Sequence, residues 1–271
     1  MLKYLYFDSV EEMIKKAVPS TINLKNCSQS DAAKEDKKNW YGFNTEEELL
    51  STINAGWEEG VKKAMAMKNL LQKDIPPVGI KRKRRNSNEG EEINLEKYID
   101  QEFDSMFVSN ERVLAIKPNS PLTINVSIGG HCGRPASDFF WKGAVATILC
   151  DLLEESGYRV KLKGHNYSCD TYVSDPNNSY TDLYFETTLK DFNDPLNFER
   201  LVTTTAMGGF FRWYGFKTIW SLPIQATGSL GTPQETLPED VKADILVSNI
   251  YSSMEAIVFI ERIIDKLIIR K

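Results

Sequence analysis

The stretch from Leu122 to Leu162 constrains the fold more than any other. A β-rich run at 122–128 ends at Gly129-Gly130. A helical run follows at 138–156, where Trp141, Val145, Ile148, Leu149 and Leu152 share one face. Gly157 is placed as its C′ residue, and 158–162 is a second β-rich run. A strand, a long helix and a strand in so little chain form a crossover unit with parallel strands. A wide apolar helix face needs a sheet to cover it. The predicted fold class is therefore α/β, a mostly parallel sheet flanked by helices.

The remaining chain extends that frame. Ser9-Val-Glu-Glu12, Thr45-Glu-Glu-Glu48 and Ser252-Ser-Met-Glu255 are capping boxes. They predict helices from about 10 to 17, from 46 onward and from 253 to near the end. Gly56 and Gly60 bracket Trp57 and mark a helix junction, with a third N-terminal helix over 58–71. Pro76-Pro77 and the polar, highly charged stretch that follows read as a linker or exposed loop over 76–93. A helix is predicted over 94–107. Strands are expected at 183–189, 216–222 and 245–250, and a helix opened by Asp194-Pro195 is expected to reach Tyr214. The expected division is a helical N-terminal region (1–75), the charged linker (76–93) and an α/β domain (94–271) of order βαββαββα after a leading helix.

Composition closes off several classes. Hydrophobic residues make up 41%, enough for a core, so a disordered chain is excluded. The net charge of −5 argues against a dedicated nucleic-acid coat. Met1-Leu-Lys-Tyr-Leu-Tyr-Phe-Asp8 lacks the features of a signal peptide, and no window suits a spanning helix. Cys27, Cys132, Cys150 and Cys169 are scattered and read as reduced thiols, so a cytoplasmic location and no membrane contact are expected.

Asn125-Val-Ser127-Ile-Gly129 at the end of the first strand resembles the metal-binding loop of the von Willebrand factor A-like fold, D-x-S-x-S. That resemblance implies a divalent metal held with later Thr and Asp residues. Here Asn125 replaces the Asp and Gly129 the second Ser, Asn249 stands near a later acidic position, and Thr203-Thr-Thr205 lies inside a predicted helix. The implied magnesium site is therefore degenerate, since hard cations prefer carboxylates. Trp40-Tyr-Gly42-Phe-Asn-Thr-Glu-Glu47 followed by Gly56-Trp-Glu-Glu-Gly60 resembles a pattern in uncharacterised proteins of phages and mobile elements. It implies a phage- or mobile-element-encoded protein acting in a host cytoplasm.

Ligands of open α/β sheets bind at the carboxyl ends of the strands. The expected function is a non-enzymatic protein-interaction or assembly module, needing no cofactor. Its partner would dock on the rim formed by Asn125, Ser127, Gly129, Gly130, His131, Cys132, Arg134 and Asn249. Two alternatives compete. Lys81, Arg82, Lys83, Arg84 and Arg85 are five consecutive cations that suit a phosphate backbone. His131, Cys132, His165 and Cys169 are ligand types for tetrahedral zinc, or a thiol with a base, although the spacing is no standard metal motif. The bland reading of that set is a polar rim loop with small buried thiols. Gly129-Gly-His-Cys-Gly133-Arg134 before a helix also suits an anion, but it is neither a Walker loop nor GxGxxG. Trp40, Tyr41, Phe43 and Trp57 are an interface anchor or the core of the N-terminal helices. Glu154, Glu155, Asp240 and Asp244 show no pattern of a hydrolytic carboxylate pair.

Overall fold

A computed structural model describes residues 2–17, 36–71, 80–90, 92–114, 121–131, 133–175, 178–221, 225–226 and 231–269. In chain order its first elements are β1 (Leu2–Phe7), α1 (Val10–Ala17), α2 (Lys37–Tyr41), α3 (Glu46–Ala55), α4 (Glu58–Asn69), β2 (Ile80–Ser87), β3 (Glu92–Ile93), α5 (Leu95–Ile99) and β4 (Phe107–Leu114). There follow β5 (Pro121–Ser127), α6 (Phe139–Glu155), β6 (Arg159–Asp175), β7 (Asn178–Lys190), α7 (Phe198–Ala206), α8 (Gly208–Phe210) and α9 (Phe216–Ser221). The last are β8 (Gln225–Ala226), β9 (Thr232–Gln234), β10 (Ile245–Val247) and α10 (Ser253–Ile269). The main sheet runs β1-β7-β6-β5-β10, with β8 and β9 added on β6. Three of the four neighbours along that path are parallel, β6-β7 being the antiparallel one.

One face of this sheet carries the core. Leu5, Phe7, Ile124, Val126, Val160, Leu162, Leu183 and Phe185 join side chains of α1, α6, α7 and α10 in one apolar cluster. Trp40, Leu49, Ala64 and Met67 belong to the same cluster, so the N-terminal helices share the core of the sheet. Helix α6 is the central one. It is buried nearly all round, as expected of a helix that is apolar on every side. Its closest approach is to α7 at Gly143, where an added Cβ would lie 2.4 Å from Ala206 Cα. Beside that point the Thr147 and Thr205 hydroxyls are 3.1 Å apart.

Register places Tyr4, Tyr6, Asn125, Lys163, His165, Tyr184 and Glu186 on the opposite face. The segment 235–244 crosses that face. Asp240 accepts a hydrogen bond from Tyr4 on the outer strand β1, at 2.5 Å, and Asp244 accepts from the Thr123 amide of β5, at 2.7 Å.

The three caps form as read. Ser9 Oγ, Thr45 Oγ1 and Ser252 Oγ accept from the amides of Glu12, Glu48 and Glu255. Several expectations need correction. Residues 2–7, read only for targeting, form β1 and complete the sheet beside β7, so 1–75 is not a purely helical region. Residues 80–87, read as linker, form a strand of a separate three-stranded antiparallel sheet, β2-β4-β3. The helix expected at 94–107 is the short α5, a 3-10 turn at Phe103–Ser105 and the start of β4. The strand expected at 216–222 is helix α9, preceded by a π turn at Phe211–Gly215. There Thr218 Oγ1 donates to Tyr214 O four residues back and to Met13 O of α1, so packing on α1 overrides a β-prone composition. The cap of α7 is Asn197, not Asp194, which instead accepts from the Asp191 amide.

The Gly143 contact gives a test with opposed signs. Helix propensity alone makes Gly143→Ala stabilising by about 1 kcal/mol. Contact with the α7 backbone makes it destabilising by about 1–3 kcal/mol, because backbone atoms cannot step aside. Chemical denaturation is expected to show a lowered midpoint, and a raised one contradicts the packing described.

Candidate functional site

The carboxyl end of β5 turns into the loop 128–135, and two buried cations hold that loop from beneath. Lys142, on the first turn of α6, donates to Gly129 O at 2.5 Å and lies 3.4 Å from Ser127 Oγ. Burial pushes its pKa down to about 8, opposed by the nearby Glu235 carboxylate. Arg212, from the π turn, donates to the carbonyl oxygens of Trp40, Arg134 and His131 at 2.6, 2.7 and 3.4 Å. Its guanidinium lies 3.8 Å from the centre of the Trp40 ring and 4.5 Å from that of Phe139. The loop carbonyls of 129, 131 and 134 are thus turned inward. His131, Gly133 and Arg134 remain exposed on the outer side.

The second wall of the rim comes from the end of β10. Asn249 is exposed and left-handed, with φ 53°, and its amide donates to Glu235 at 3.3 Å. Tyr251 donates to the same carboxylate at 2.6 Å, and the Arg134 guanidinium stacks 4.2 Å over the Tyr251 ring. Burial first, and then Glu235, raise the Tyr251 phenol well above its usual range. Met254 at the start of α10 is exposed next to it. Beside the rim, between α2–α4 and the start of α6, lies a cleft of about 670 Å³. Tyr41, Phe43, Trp57, Phe140 and Pro135 line it, and Lys63 sits 4.2 Å over the Phe140 ring.

Asn125 does not reach the rim. It lies fully buried on the opposite face, where its amide nitrogen donates to Tyr184 and Glu186, both at 3.2 Å. Tyr184 donates to Glu186 at 2.6 Å and Lys163 pairs with it at 2.8 Å. Asn125 Oδ1 therefore faces His165 Nδ1, at 2.7 Å, which makes Nδ1 the protonated nitrogen. His165 Nε2 is buried without a hydrogen-bond partner. Burial and the Lys142 ammonium push the His165 pKa down to about 3, so the ring stays neutral.

The residues singled out in the sequence thus separate. Ser127, Gly129, Gly130, His131, Arg134 and Asn249 gather at the rim, while Asn125 and His165 belong to the buried network. Cys132 lies outside the described residues. His165 and Cys169, expected in a loop, are both inside β6. Four residues of extended strand separate them by roughly 13 Å, too far to share one metal ion. Among the described residues no group of three or more His, Cys, Asp or Glu side chains is placed to hold a metal. Where the resemblance to the von Willebrand loop puts a divalent ion near positions 127 and 129, the Lys142 ammonium already occupies the Gly129 carbonyl. Thr203 and Thr205 serve helix packing, accepting from the Trp57 amide and donating to Gly143 O.

Sequence reasoning missed the two cations because each lies inside an apolar run. The only signal was a charged residue breaking the buried stripe, at Lys142 in Phe139-Phe-Trp-Lys-Gly and at Arg212 in Phe210-Phe-Arg-Trp. The four carboxylates without a pattern have structural partners. Glu154 pairs with buried Lys190, Glu155 with Lys68, Asp240 with Tyr4 and Asp244 with the Thr123 amide. The basic run 81–85 forms most of strand β2.

The chain belongs to the family described as "Domain of unknown function (DUF7192)", which it matches over residues 3–271. No curated protein and no solved structure matches it. Among the described residues no helix is long and apolar enough to cross a membrane.

The buried imidazole makes a pH prediction. An unfolded histidine titrates near 6.5, whereas His165 resists protonation down to about 3. Between those values the unfolded chain binds a proton that the folded chain does not, so stability falls as pH falls. Below pH 6.5 His165 contributes a slope of up to about 1.4 kcal/mol per pH unit. Denaturation between pH 7 and pH 5 is expected to show a shallower decline in His165→Gln than in the wild type. Equal slopes contradict a proton-excluding site.

Proposed function

We propose that this protein is a non-enzymatic interaction module that binds a protein partner at the rim of the sheet, around residues 129–134 and 249–254. One observation carries the reading. The rim loop is rich in glycine, yet its backbone is fixed from below by Lys142 and Arg212. A loop ordered before binding loses little entropy on association. It presents Arg134, stacked on Tyr251, beside exposed His131 and Met254. Arginine and aromatic anchors of this kind dominate the energetics of protein interfaces. The aromatic cleft next to Pro135 offers a place for an apolar side chain of the partner.

The thiol or zinc reading draws little from the geometry, since His165 is sealed in the sheet and Cys169 stands roughly 13 Å further along the same strand. The nucleic-acid reading rests on the sequence of β2 and makes a separate prediction. Affinity capture from the native host cell under nuclease treatment distinguishes the two. The wild-type chain is expected to retain a stoichiometric protein after nuclease, and Arg134→Glu to reduce that capture by about tenfold or more, the loss of one hot-spot residue. Capture that is lost with nuclease, or is indifferent to Arg134→Glu, contradicts binding at the rim.

A further inference from the structure

The cleft of about 670 Å³ between α2–α4 and the start of α6 has the size of a ligand pocket. Tyr41, Phe43 and Trp57 are half-buried along it, and buried Phe140 completes its aromatic lining. Its charges are unevenly matched. Three carboxylates line it, and each serves the N-terminus of its own helix. Asp36 accepts from the Asn39 amide of α2, Glu48 accepts from the Asn44 amide just before α3, and Glu59 lies in the first turn of α4. Helix α6, with 17 residues the longest of the four, has no acidic residue in its first turn. Asp138 at its cap bonds to no amide of the helix and turns to Arg134, at 3.4 Å. A cation stands over that first turn instead. The exposed Lys63 ammonium lies 4.2 Å from the centre of the Phe140 ring and 4.5 Å from that of Trp141. Its neighbour Lys62 pairs with Glu58, but Lys63 has no carboxylate partner among the described residues. An ammonium beside the positive end of a helix is of the wrong sign, and an anion between them relieves both.

We propose that this cleft takes a segment of the protein partner in which an aromatic side chain stands beside a carboxylate. The ring enters among Tyr41, Phe43 and Trp57, and the carboxylate pairs with Lys63 at the start of α6. The partner is the one inferred for the rim, on which this step rests, since Pro135 belongs both to the rim loop and to the cleft wall. Aromatic rings supply most of the contact area, and the ion pair sets the orientation of the segment. A cationic segment fits less well, because it meets Lys63 already seated on two ring faces. A purely apolar one leaves both Lys63 and the start of α6 without a counter-charge.

Two small probes test this on the full chain. N-acetylphenylalanine carries the ring and a carboxylate, and its amide carries the ring alone. Each is titrated while the Trp57 indole and the backbone amides are followed by NMR. The acid is expected to bind in the roughly millimolar range usual for so small a ligand, with saturable shifts at Trp57 and Phe140. It should bind at least about tenfold more tightly than the amide, as a charge-assisted contact requires. Lys63→Gln, at an exposed position, is expected to bring the acid to within about twofold of the amide, with an unchanged thermal midpoint as the folding control. No saturable shift at Trp57, equal affinities of acid and amide, or a preference for the acid that survives Lys63→Gln overturns the proposal. The titration involves no partner protein, so its failure is distinct from a failure of capture in Arg134→Glu.

Discussion

Two buried cations determine what the rim of this sheet is. Lys142 and Arg212 come from different helical segments and meet the same loop from below, one at Gly129 and the other at His131 and Arg134. Holding a loop residue in one conformation costs about 1–2 kcal/mol of backbone entropy. A loop with glycine at 129, 130 and 133 has more freedom to lose than most. Inward-turned carbonyls bound to charged donors offset that cost, since hydrogen bonds to ionised groups are among the stronger ones. The same ammonium also acts on the sheet. It helps to keep His165 neutral, which ties the rim to the polar network beneath the segment 235–244.

The central unit of the fold was legible because periodicity and punctuation agreed. The run from 122 to 162 shows strand, helix and strand in the expected order, the first two at nearly the observed bounds, whereas β6 starts where expected and runs on to Asp175; Gly157 adopts the expected left-handed conformation, with φ 89°. Capping boxes were equally readable, because their chemistry is local. Elements set by distant partners were not. Strand β1 depends on β7, more than 170 residues away in the chain, and α9 depends on α1. The basic run 81–85 lacks apolar alternation and reads as solvated loop, yet pairing with β4 makes it a strand.

The candidate site was legible in part. Glycines and polar residues at the end of the first β-rich run identified the loop after β5. Alternation along a strand then separated residues that the sequence had grouped. Asn125 and Ser127 share a face, but Asn125 sits deeper in the sheet, within reach of Tyr184 and Glu186. His165 and Cys169 share a face and still stand far apart along β6. The clamp itself was invisible, since one charge within an apolar helix looks like a surface position until the helix proves buried all round.

The most direct test of a rim held from beneath is amide hydrogen exchange at 129–134 in the wild type and in Arg212→Met. The Arg134 amide bonds to His131 O at 3.1 Å and the Gly133 amide to His131 Nδ1 at 3.0 Å, so both depend on His131 staying in place. Loss of the guanidinium is expected to speed exchange at Gly133 and Arg134 by at least about tenfold, equivalent to roughly 1.4 kcal/mol of local stability. The amides of β5 at Ile124 and Val126 should keep their protection. Unchanged exchange at Gly133 and Arg134 would contradict the clamp, and so would an equal loss of protection across β5.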